Sequence, residues 1–112
     1  MNNSDLQAAL SNAVNYINQL LSQTKDPTLS QNLHCLREFF FDLWEAALRK
    51  SLDNTTPLYL NTIAALKTSQ ASAAAAQADL NQISSAINDA ATAAKVADQL
   101  INVGLQVAKF FP

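Results

Sequence analysis

The sequence predicts an all-α protein: an up-and-down bundle of three long helices, or four if the last segment divides, with a coiled-coil-like third helix. Three observations predict it. The 46 residues from Leu58 to Val103 contain neither Gly nor Pro, the usual helix breakers. Twelve of the twenty-seven residues from Ala71 to Ala97 are Ala, which carries the lowest helix penalty. Asp26-Pro27 and Thr56-Pro57 punctuate the rest, because the residue before Pro disfavours helix and Pro suits the first position of the next one.

The first helix is expected over 4–24. Ser4-Asp-Leu-Gln7 fits a capping box, with Asp5 favourable in the first turn. Leu6, Leu10, Ala13, Ile17 and Leu20 then recur at spacings of 4 and 3, an amphipathic stripe. The second helix is expected over 27–52, before Asp53-Asn-Thr-Thr-Pro57, where Thr56 caps the third and Pro57 begins it. Its polar positions Glu38, Asp42, Glu45 and Arg49 form one narrow strip, with Glu45 and Arg49 a favourable i, i+4 pair. Apolar side chains, among them Phe39, Phe40, Phe41 and Trp44, cover nearly all the remaining circumference, so this helix needs neighbours on several sides.

The third helix is expected over 57–111. Unbroken, it is a rod of about 80 Å at ~1.5 Å per residue. Tyr59, Ile63, Leu66, Gln70 and Ala73 keep a 4-3 spacing, which resumes at Ala76 after a three-residue step. Such a step marks a stammer or a bend. The softest places for a kink or break are 68–72 and 88–89, and continuity is the expectation. Leu100, Ile101, Val103, Leu105, Val107, Ala108, Phe110 and Phe111 surround a polar strip of Gln99, Asn102, Gln106 and Lys109, with Pro112 ending the helix. A hairpin of the first two helices covers only half of such a rod. A second copy related by two-fold symmetry is the economical cover for the other half.

Chemistry is sparsely provided. His34 beside Cys35 points about 100° away from it on a helix, and no orienting partner or oxyanion donor follows in a motif. His34 and Glu38 at i, i+4 make two metal ligands without a third. Glu38 and Glu45 are the only glutamates and Gly104 the only glycine, so neither a di-iron bundle pattern nor a Gly-rich phosphate loop is present. One cysteine excludes an internal disulfide. No catalytic residue, metal site or cofactor is expected.

With 49% hydrophobic residues the chain can build a core, and a net charge of −2 with scattered Lys and Arg argues against nucleic acid. Charged residues are only 14% of the chain, replaced by eleven Asn, nine Gln and nine Ser, a weakly repelling surface that suits self-association. Low charge with abundant Ala, Ser, Asn and Gln on long helices resembles the composition of helical proteins that assemble or are exported, such as flagellar, needle and pore-forming components. That likeness covers no motif and transfers no residue.

The expected function is a non-enzymatic scaffold or assembly module working through helix–helix contact, as a homo-oligomer, with a dimer favoured, or with another helical protein. Candidate interface residues are Phe40, Phe41 and Trp44 on the second helix, and Leu80, Ile83, Ile87, Ile101, Leu105, Phe110 and Phe111 on the third. One alternative is a membrane-active helical protein using the apolar C-terminal helix, although its polar face lacks the Lys and Arg that favour anionic lipid. A second alternative is a small cofactor- or ligand-binding bundle. The first residues carry no basic run or apolar core of a secretory signal, so a cytoplasmic location is the default, and export without a cleaved signal is compatible with it.

Overall fold

Two proline-led caps divide the first half of the chain. In the computed structural model, which describes residues 3–111, α1 (Ser4–Gln23) and α2 (Pro27–Arg49) form an antiparallel hairpin. Asp26 is extended, and its carboxylate accepts the backbone N–H groups of Thr28 at 2.9 Å and Leu29 at 3.1 Å, two donors that a helix start leaves without partners. Thr56 repeats the device for α3 (Pro57–Ala78), its hydroxyl accepting from the Tyr59 N–H at 3.3 Å. At the start of α1, Asn3 takes the cap position and Ser4 the first helical turn, one residue displaced from the predicted capping box.

Asn3 has been drawn elsewhere: its side-chain amide donates to the Lys50 carbonyl at 2.7 Å. Lys50 is extended and its ammonium donates to the carbonyl of Ile101, so α2 stops at Arg49 rather than at residue 52. Both contacts join residues distant in sequence, which local pattern cannot announce.

The segment expected as one rod divides. α3 ends at Ala78, Asp79 is extended, one 3₁₀ turn covers Leu80–Gln82, and α4 runs from Ile83 to Ile101. The reversal lies outside both 68–72 and 88–89. Asp79 serves it locally, because its carboxylate accepts the Asn81 N–H at 3.1 Å, the competing bond that makes Asp a poor helix former. Burial drives it. Folding back packs α3, with Ala73 and Ala76 buried, against α4, where Ala86, Ala90, Ala93, Ala94 and Ala97 are at most 1% exposed. Apolar area leaves water at about 25 cal/mol per Å², while the few helical hydrogen bonds given up are worth only about 1 kcal/mol each net. The molecule measures 41 × 25 × 20 Å, about half the length of the predicted rod.

The C-terminal helix is interrupted too. After Ile101, Asn102, Gly104 and Gln106 take left-handed φ of 62°, 80° and 57°. The Asp98 carboxylate holds this loop, accepting the N–H groups of Val103 at 3.1 Å, Gly104 at 3.0 Å and Leu105 at 3.1 Å. The chain then turns back as α5 (Val107–Phe110) with Val107 buried, and the rings of Phe110 and Phe111 lie 5.7 and 6.5 Å from that of Phe39. Pro112, expected to end the helix, lies outside the described residues.

α1 packs on α2 and α3, and α4 packs on α3 and α2. Helix directions alternate along the chain, but α1 and α3 are parallel neighbours: Tyr16 bonds Ser69 and Gln19 bonds Gln77. The 50–56 connection therefore joins helices that are diagonal across the bundle. The core is asymmetric, with large side chains from the first hairpin (Leu10, Ile17, Leu36 and Phe40, all 0% exposed) filling against the Ala-rich second. Two of its polar members are tied down: Thr62 donates to the Leu58 carbonyl at 2.8 Å, and Ser69 pairs with the Tyr16 hydroxyl.

Candidate interaction surface

The ten candidate interface residues do not form one surface. Phe40, Ile83, Ile87 and Ile101 are in the core, none more than 5% exposed. Leu80 is exposed on the α3–α4 turn. Leu105 and Phe111 are half-buried where the C-terminal segment lies back on the bundle, and Phe110 is 60% exposed there despite its ring contact with Phe39. Phe41, exposed, and Trp44, half-buried, are the pair that the fold keeps together at the surface.

Helical spacing explains this division of the aromatic run. Phe40 meets Tyr16 of α1 and Phe39 meets Phe110 and Phe111 of the C-terminal segment, while the next residue, 100° further round, is left at the surface. Phe41 is 46% exposed and its ring lies 5.8 Å from that of Trp44, tilted by 45°, beside Val14 of α1. Leu48, 51% exposed, continues this stripe seven residues on, and His34 begins it seven residues before. Leu48 and Val14 were not singled out from the sequence. The signal for Leu48 was present in the 34, 41, 48 spacing; Val14 needed the α1–α2 register.

Polar groups rim the aromatic pair. Glu38, Asp42 and Glu45 share this side of α2, and partial burial followed by the charges of Glu45 and Glu38 raises the Asp42 carboxyl above its usual range. Arg37 donates to Asn18 at 3.1 Å and lies 3.3 Å from His34 Nδ1. Arg49 reaches Glu45 only at 3.9 Å, with 79% of its side chain exposed.

The reactive side chains sit in unremarkable settings. Cys35 is half-buried, and burial pushes its thiol up, with Glu38 adding to the effect, away from the thiolate that a nucleophile requires. Among the described residues, no group of three His, Cys, Asp or Glu side chains is placed to hold a metal ion. No described helix is long and apolar enough to cross a membrane. No protein-family model, no curated protein and no solved structure matches the chain.

Proposed function

We propose that this chain is a non-enzymatic helical interaction module that works by helix–helix contact and self-associates. The observation that carries the reading is the Phe41–Trp44 ring contact on the outer α1/α2 face, while the rest of the aromatic run is covered. Aromatic side chains held in place on a surface are the usual anchors of protein interfaces. A sparse charge of 14% does little to keep copies apart.

The earlier ground for a second copy, an uncovered half of an 80 Å rod, disappears with the α3–α4 reversal. The outer face of α1/α2 replaces it. The membrane-active alternative loses its continuous apolar helix to the loop after Ile101. Sedimentation equilibrium at micromolar concentration tests the reading. A mass above 12.1 kDa that rises with concentration is expected, and a single 12.1 kDa species refutes self-association.

A further inference from the structure

The outer stripe of α2 has a symmetry of its own. His34, Phe41 and Leu48 are spaced seven apart, with Arg37 four residues before Phe41 and Glu45 four after it. When two copies of a helix cross antiparallel about a two-fold axis, a residue k places after the axis meets the residue k places before it on the other copy. Centred on Phe41, that rule sets Arg37 against Glu45 of the second copy, twice. It also sets His34 against Leu48 and lays Glu38 along Trp44. A parallel pairing would instead stack each carboxylate on itself.

We infer that this stripe is a self-complementary docking surface for a second copy of the chain, paired antiparallel with Phe41 at the two-fold axis. The inference rests on the self-association reading and names its face. Both charged partners are available. Arg37 is held by Asn18 and His34, neither of them a carboxylate, and among the described residues the ion pair of Glu45 is with the distant, solvated Arg49. An arginine arriving from the second copy enters the crowded Glu38, Asp42 and Glu45 carboxylates and relieves them.

Charge reversal tests the register. Arg37→Glu and Glu45→Arg are made singly and together in the full chain, with Phe41→Asp as a third variant, and each is checked for helix content by circular dichroism. All three positions lie at the surface or its margin, so folding is retained. Expected by sedimentation equilibrium are dissociation by Phe41→Asp, about tenfold weaker association for each single reversal, and recovery in the double reversal. An oligomer indifferent to all three variants overturns this surface and leaves self-association standing. Recovery absent from the double variant overturns the antiparallel register. A wild-type chain that stays monomeric overturns both this inference and the reading beneath it.

Discussion

Tyr16→Phe measures the α1–α3 register through a buried side-chain bond that crosses it. The Tyr16 hydroxyl and Ser69 hydroxyl pair between parallel helices, with Tyr16 7% and Ser69 0% exposed. Removing the phenol oxygen leaves Ser69 without its tertiary partner, a cost of roughly 1–2 kcal/mol at pH 8. Burial also pushes the Tyr16 hydroxyl up from 10.0 to about 12, with the Ser69 bond pulling the other way. The folded protein thus keeps this proton where the unfolded chain loses it. For an acid raised in the folded state, stability is complete below pH 10 and falls as pH climbs toward 12. Two units at ~1.4 kcal/mol each make that loss roughly 2–3 kcal/mol. The variant has no such proton. Urea unfolding followed by circular dichroism from pH 8 to 12 is therefore expected to show the wild type more stable at pH 8 and the two curves meeting or crossing by pH 12. All other titrating groups are shared and cancel in the difference. A gap that stays constant across this range refutes the buried Tyr16–Ser69 pair.

The remaining predictions probe the second hairpin. Ala90→Leu inserts a branched side chain into the fully buried α3/α4 contact, and a loss of about 1–3 kcal/mol is expected in the same urea assay; an unchanged midpoint would mean that the Ala faces do not meet. Asp98→Ala removes the acceptor for three loop N–H groups, so amide exchange at Val103, Gly104 and Leu105 should quicken while the core amides of α1 stay protected. Equal exchange in variant and wild type would show that the left-handed residues hold the loop unaided.

Much of the architecture was legible because it is written in local chemistry. The start of α2 at Pro27 and of α3 at Pro57 follows from a missing N–H and a restricted preceding residue, which act within a few residues. The α1 core of Leu6, Leu10, Ala13, Ile17 and Leu20 matches its 4-3 spacing residue by residue. The stripe drawn on α3 missed by part of a turn: Thr62 and Ser69 are buried where Ile63 is half-buried and Gln70 exposed. Hydropathy ranked those hydroxyls as surface, and their hydrogen bonds to Leu58 and Tyr16 made them core. In the candidate interface, the sequence showed a helix needing neighbours on several sides; α1 covered Phe40, the returning C-terminal segment met Phe39, and Phe41 was left exposed.

Helical character throughout, the two proline-marked starts and the scarcity of reactive groups belong to the sequence alone, since each depends on propensity or composition within a turn or two of chain. The tertiary structure alone reversed the Ala-rich segment at Asp79 and turned the last residues back from Ile101 onto Phe39. An Ala helix is equally content extended or doubled over. The choice falls to the burial that one small-residue face gains by meeting another, a free energy that exists only when both are present.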